Sequence, residues 1–323
     1  MRVIRITAAL AVGLAAAYAC DRQPTTPTES IRPPQAQARG SGDPATLALI
    51  DAVNKKLQTR GVQIAVEEIS YFTLDNARPS DRVHAQEFRW VPNDPRRLAQ
   101  GDDISWLVAT NRSTTESGLT AAQTTSAIQR AFATWGANPT LDKVDLVERA
   151  YGGRDVTIYD ELVADGKFDD FKGQEGNYLV ADIVNAGWLP RAYFEAAGGP
   201  GGGRGILAFS VSFIFLNDDG TPSDINGDGR LDTALNEVYY NNTFGDPKAP
   251  DNRSTRPWGI DIAPPGIDVE TVALHENGHS LGLGHFGPPP DAVMNPVYAG
   301  PRQDPMAADE AGMQAVWSSW PNP

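Results

Sequence analysis

The apolar positions begin as one block and then stop. A run from Ile6 to Ala19 follows the basic residues Arg2 and Arg5, and Ala17-Tyr18-Ala19 closes it with the small-x-small spacing of a signal cleavage site. The run is too short for a comfortable membrane span, so residues 1–19 are expected to be an export signal. Residues 20–43 are rich in Pro, Thr, Gln and Gly and nearly free of large apolar groups. Such a segment cannot bury enough surface to offset its chain entropy, and it reads as a flexible tether. Asp43-Pro44 then supplies an N-cap and a proline at the first helical position. Leu47, Ile50, Val53 and Leu57 follow at helical spacing until Gly61, and Val62 to Leu74 suits a strand. Residues 44–100 are thus expected to form a small N-terminal α+β segment.

From about residue 101 the alternation lengthens. Ile104–Thr110, Val144–Val147, Val156–Tyr159, Tyr178–Val184 and Ile206–Leu216 are strand candidates, the last being the most continuous apolar run of the group. Thr120 caps a predicted helix with Ile128, Phe132 and Trp135 on one face and Gly136 at its end. Gly198–Gly205 reads as a hinge or surface loop; no Lys-Ser/Thr follows it, which argues against a phosphate cradle. Asp304-Pro305 to Trp320 predicts an amphipathic C-terminal helix with Met306, Met313, Val316, Trp317 and Trp320 at core spacing.

Composition narrows the function classes. The 323 residues are 41% hydrophobic, enough for a sizeable core. A formal charge of −14 argues against a nucleic-acid partner, whose phosphates need clustered cations. The single cysteine, Cys20, excludes an intramolecular disulfide framework. It directly follows the expected cut, and this arrangement resembles a bacterial lipoprotein signal, in which that cysteine carries the lipid. The expectation is an exported monomer, either a cell-envelope lipoprotein anchored at Cys20 or extracellular, touching a membrane only through that lipid.

Three of the four histidines lie within eleven residues, in His275-Glu276-Asn277-Gly278-His279-Ser280-Leu281-Gly282-Leu283-Gly284-His285. Asp268 is a plausible N-cap for a helix carrying this segment. His275 and His279, four apart, project from one helical face and can grip one ion. On a continuing helix His285 would point about 240° away from His279. Gly282 can adopt the left-handed conformation that ends a helix and turns the chain back, bringing the third imidazole to the ion. Three imidazoles select zinc over hard cations and leave a position open for water, so one catalytic Zn2+ is expected. Glu276, rotated about 100° from His275, flanks the metal and can act as the general base toward zinc-activated water. The remaining histidine, His84, reads as a surface residue, with a ligand that blocks the zinc as the sharper alternative.

This extended pattern, followed nine residues later by Met294 within Ala292-Val293-Met294-Asn295-Pro296-Val297-Tyr298, is the metzincin signature with its methionine turn. The chain further resembles the matrixin (matrix metalloproteinase-like) family. Val272-Ala273-Leu274, Met-x-Pro-x-Tyr at 294–298, Asp309 with Gly312-Met313-Gln314, Ala131-Phe132-Ala133-Thr134-Trp135 and Gly205-Ile206-Leu207-Ala208 carry the likeness, over roughly residues 101–323. The resemblance implies a metzincin-like α/β (α+β) fold: a twisted five-stranded mixed sheet with two long helices, the active-site helix followed by a Met-turn and a C-terminal helix. It implies a metalloendopeptidase acting on proteins or peptides. Substrate would pair with an edge strand through Ile206, Leu207 and Ala208, and Tyr298 would stand in the specificity pocket wall. Phe209 and Ser210 replace the His-Ala of the family's structural-zinc region, so a second zinc is not expected. The alternative function is a non-catalytic surface binding protein retaining the metal site.

A second constellation runs from Asp224 to Asp232. Asp224, Asn226 and Asp228 at positions one, three and five, Gly229 at six, Arg230 offering its carbonyl, and Asp232 at nine match the start of a calcium loop. Leu235 stands where the closing Glu would be. A structural Ca2+ is expected there.

Overall fold

The computed structural model describes residues 44–74, 85–97, 101, 103–153, 157, 180–199, 201–249 and 255–321. The export signal, Cys20, the tether, His84 and most of the 156–159 strand candidate lie outside these residues. Among the described residues no helix is long and apolar enough to cross a membrane.

In chain order the elements are α1 (Pro44–Thr59), β1 (Ile64–Thr73), β2 (Phe88–Arg89), β3 (Ile104–Val108), α2 (Ala121–Gly136), β4 (Leu146–Glu148), β5 (Ile183–Leu189), α3 (Arg191–Gly198), α4 (Gly202–Gly205), β6 (Ile206–Phe215), β7 (Leu231–Asn241), β8 (Trp258–Gly259), β9 (Ile267–Asp268), α5 (Val269–Ser280) and α6 (Ala307–Trp317). α2 starts where the sequence predicts. Thr120 Oγ1 accepts from Gln123 N–H, and Gln123 reaches back to the Thr120 N–H, a capping box that satisfies two donors at once.

The main sheet has seven strands, in the order β1-β6-β7-β5-β3-β4, with β2 added alongside β7. β4, β3, β5 and β7 run parallel; β6 is antiparallel to β7, and β1 antiparallel to β6. Residues from 101 onward supply the five expected strands, β3 to β7, and the N-terminal segment adds β1 and β2 to the same sheet. Nor is β6 an edge strand: it pairs along its length with β1 on one side and β7 on the other.

Both faces of the sheet are covered. On one face, Ile104, Trp106, Leu207, Val238 and Tyr240 pack with Ile128, Phe132 and Trp135 of α2 and Val272 and Ala273 of α5. On the other, Ile64, Val66, Ile69, Phe209, Val211 and Phe213 pack with Ile50, Val53 and Leu57 of α1 and Tyr193 and Phe194 of α3. Two-sided burial is why β6 lacks period-two alternation and reads as a nearly continuous apolar run, and why β1 is buried at all ten residues although it carries Glu67, Glu68 and Ser70. The glycine-rich stretch predicted as a surface loop is instead the end of α3 and the short turn α4. Gly202, Gly203 and Gly205 are buried there, and a Cβ at Gly202 would collide with the Phe194 carbonyl. β5 starts about five residues later than its sequence candidate and bulges at Gly187, which sits at φ 98° against Arg112.

Candidate metal centre

α5 begins as predicted, with the Asp268 carboxylate accepting from Thr271 N–H at 2.8 Å. It is buried at every residue, because α2, the sheet and α6 surround it. Three indoles fix its position by donating to its carbonyls and cap: Trp135 to Leu274 O, Trp90 to Ser280 O and Trp317 to Leu281 O, at 2.8–2.9 Å.

The helix stops at a glycine. Gly282 has φ 85°, its N–H donates to His279 O at 2.8 Å, and Leu283 N–H donates to Gly278 O at 3.0 Å. These two bonds form a Schellman motif, which satisfies the last carbonyls and reverses the chain. As a result His285 returns to the other two imidazoles. The Nε2 atoms of His275, His279 and His285 form a triangle with sides of 3.2, 3.1 and 3.2 Å. Among the described residues this is the one group of three or more metal-ligating side chains whose ligand atoms converge.

Two of the rings have their tautomer set by backbone. His275 Nδ1–H donates to Val293 O and His279 Nδ1–H to Leu283 O, both at 2.8 Å, which leaves each Nε2 as a bare acceptor. Burial drives the ring pKa values down. It is the main cause for all three; His279 falls to about 4, and His275 and His285 fall well below the ordinary value with neighbouring imidazoles adding to the effect. Neutral rings with lone pairs pointing together need a cation. A tetrahedral zinc with bonds of about 2.0–2.1 Å requires nitrogens about 3.3–3.4 Å apart, so the observed triangle fits it with little adjustment.

Glu276 is fully buried beside this triangle, and neither carboxylate oxygen completes a hydrogen bond. Burial raises its pKa well above the ordinary carboxylate range, opposed by the Ser210 hydroxyl and the Phe72 N–H that face it. Met294 is buried and packs against the helix at Gly278, where an added Cβ would lie 2.5 Å from its Sδ. Asp309 holds the turn: its carboxylate accepts from Val293 N–H at 2.8 Å and Met294 N–H at 3.0 Å. Sequence reasoning did not single out Gly278; a glycine in mid-helix between two ligands was the available signal.

The residues expected to contact substrate sit nearby and are covered. Ile206, Leu207 and Ala208 are fully buried, with Ala208 opposite Phe72 of β1 and Ile206 opposite Thr73. Tyr298 Oη accepts from Asp268 N–H at 2.9 Å, and burial raises its pKa to about 12.

The 224–232 segment is organised differently. Asp224 accepts from the backbone of Asp228 and Gly229. Asp228 pairs with Arg89 at 2.5 Å, and Asp232 pairs with Arg96 at 2.7 Å while also accepting from Ser223 and Ile225. The Arg230 guanidinium donates to Gln86 O and Ala315 O. Protein cations thus lie against two of the carboxylates assigned to calcium.

Comparison with known proteins agrees with the geometry of the centre. Residues 208–318 match the matrixin family model. Matrix metalloproteinase-25 of Mus musculus is 55% identical over 57 residues, 16% of this chain and 9% of that protein. The Homo sapiens protein of the same name is 41% identical over 61 residues, 17% of this chain and 11% of that protein. The chain therefore spans about a tenth of the length of these curated relatives.

Proposed function

We propose that this matrixin-like catalytic domain is a zinc-dependent endopeptidase, with His275, His279 and His285 holding the metal and Glu276 as general base. The observation that carries the reading is the convergence of three buried imidazole Nε2 atoms beside a buried carboxylate. Zinc, when bound, supplies Lewis-acid polarisation of water and of the peptide carbonyl. The chain supplies the rest. Glu276 takes the proton from the attacking water and passes it to the leaving amide nitrogen. Ile206–Ala208 and Tyr298 are proposed to contact the peptide, a role that would require the β1 strand now paired with Ile206–Ala208 to give way. The test is a panel of quenched peptides with zinc-loaded protein: cleavage that a chelator abolishes and zinc restores is expected. Zinc binding without turnover of any peptide would assign a metal-dependent binding role instead.

The chain is further proposed to be exported and tethered through Cys20, on the strength of the apolar run ending at Ala19 and the lone thiol after it. Mass spectrometry of the mature N-terminus should find a diacylglyceryl adduct on Cys20; an unmodified Cys20 in the medium would mean a freely secreted protein. A calcium ion in the 224–232 loop rests on the spacing of Asp224, Asn226, Asp228 and Asp232, against competition from Arg89 and Arg96. Millimolar calcium is expected to raise the melting temperature by binding the folded state, and Asp228→Ala to remove the effect. An unchanged melting temperature in the parent would leave the loop to its arginine pairs.

A further inference from the structure

The peptidase reading requires a peptide backbone to reach Glu276 and the imidazoles, yet every one of these side chains is at most 4% exposed. What closes the centre is a segment of this chain. β1 is buried at all ten residues and pairs antiparallel with β6 from Ile64↔Phe215 to Thr73↔Ile206. At its C-terminal end it pairs on its other edge as well. There Thr73 N–H donates to Pro296 O at 3.1 Å and Tyr298 N–H donates to Thr73 O at 2.8 Å, while on the β6 side Leu74 N–H donates to Gly205 O at 2.9 Å. The Phe72 ring stacks on His275 with centroids 3.9 Å apart and planes 7° from parallel, and meets Tyr298 edge-on at 5.9 Å. The Phe72 N–H faces Glu276, which places the Tyr71–Phe72 peptide bond beside the general base.

We propose that β1 is a tethered occupant of the peptide groove, lying between β6 and the 296–298 segment, so that external peptides bind only when β1 withdraws. The inference rests on the peptidase reading for the groove's purpose, but its geometry stands on β1 alone. An extended chain paired along β6 on one edge and, at Thr73, with 296–298 on the other sits as a strand captured by a groove does: backbone bonds supply affinity and side-chain pockets supply selection. The pocket here is the face of His275, filled by an aromatic ring. The freed groove therefore takes extended, apolar peptides with an aromatic residue at the position of Phe72. Because β1 is covalently attached, an external peptide competes with an effective concentration of order millimolar.

The test measures binding apart from turnover. The probe is a fluorescently labelled Ile-Ser-Tyr-Phe-Thr-Leu, the sequence of residues 69–74. Anisotropy is followed with the zinc-loaded full chain carrying Glu276→Gln, so that the probe is not consumed. Thr73→Pro removes the N–H given to Pro296, and Phe72→Ala removes the stack on His275. Each is expected to bind the probe at least tenfold more tightly than the otherwise identical parent. A cysteine pair at the paired positions Ala65 and Ile214, with Cys20→Ser, locks β1 without touching the centre. Oxidised, it is expected to reject the probe; reduced, it should behave as the parent does. Equal affinity across parent, loosened and locked forms would overturn the proposal, and the lock decides the matter if Thr73→Pro does not fold. The same β1 variants with Glu276 restored are then assayed on a quenched version of the peptide. Tighter binding with no chelator-sensitive cleavage would refute the peptidase reading and leave the occupied groove standing. Cleavage equal in all forms would do the reverse.

Discussion

Glu276→Gln is expected to retain zinc and lose peptide cleavage by about 10²–10⁴-fold in kcat/KM, the usual contribution of a positioned general base. The substitution is nearly isosteric, and the Ser210 hydroxyl and Phe72 N–H that face Glu276 without closing a full hydrogen bond can face a glutamine Oε1 equally. The imidazole triangle is held by Val293 and Leu283 carbonyls, not by Glu276, so metal content should not change. The melting temperature should hold as well, since the substitution removes the desolvation cost of a buried carboxylate and the glutamine Oε1 can still face the Ser210 hydroxyl and Phe72 N–H. Zinc analysis, thermal melting and cleavage of a quenched peptide together check the assignment. Full activity in the variant would sink the role given to Glu276. Loss of zinc alongside activity would make it a structural member of the site.

The largest stability effect is expected outside the histidine cluster, at Asp182. Its carboxylate, 1% exposed, accepts from Arg97 Nε at 3.1 Å and Nη2 at 3.2 Å, and from Ser105 N–H at 2.7 Å and Oγ at 2.8 Å. Arg97 is itself buried, also donates to the carbonyls of Val91 and Asp103, and lies over the Trp90 ring. This network ties the stretch before β3 to the strands β3 and β5. Asp182→Ala leaves the guanidinium buried without its counter-charge, which costs about 3–5 kcal/mol. Denaturant unfolding should show the loss as a lower midpoint. Because two buried charges carry a large desolvation penalty, the double variant Asp182→Leu with Arg97→Met should lose less than Asp182→Ala alone. A loss below about 1 kcal/mol in the single variant would show that water reaches the pair.

The metal centre was legible in the residues because its geometry is almost entirely local. Four-residue spacing on one helix aligns His275 with His279, and a single left-handed glycine at 282 returns His285; both follow from backbone rules that need no distant partner. The caps at Thr120 and Asp268 and the periodicity of α1 and α6 were readable for the same reason, except at Met306, which was expected in the core and is exposed ahead of α6. β7 was not. Its Asp232, Asn236, Glu237 and Asn241 look like loop residues, yet all are buried, and they become acceptable in a central strand only through partners such as Ser212 Oγ and Ile206 O on β6. The arginines that meet Asp228 and Asp232 likewise come from a segment more than a hundred residues earlier. Residues 62–74 declared themselves a strand by composition, but nothing in those residues says which edge they join. That choice belongs to the tertiary structure: an unpaired β6 edge, the free backbone groups at 296–298 and the face of His275 are all satisfied at once by the one strand that ends in Phe72 and Thr73. Unpaired backbone groups must find partners when buried, and only the assembled fold determines which ones are within reach.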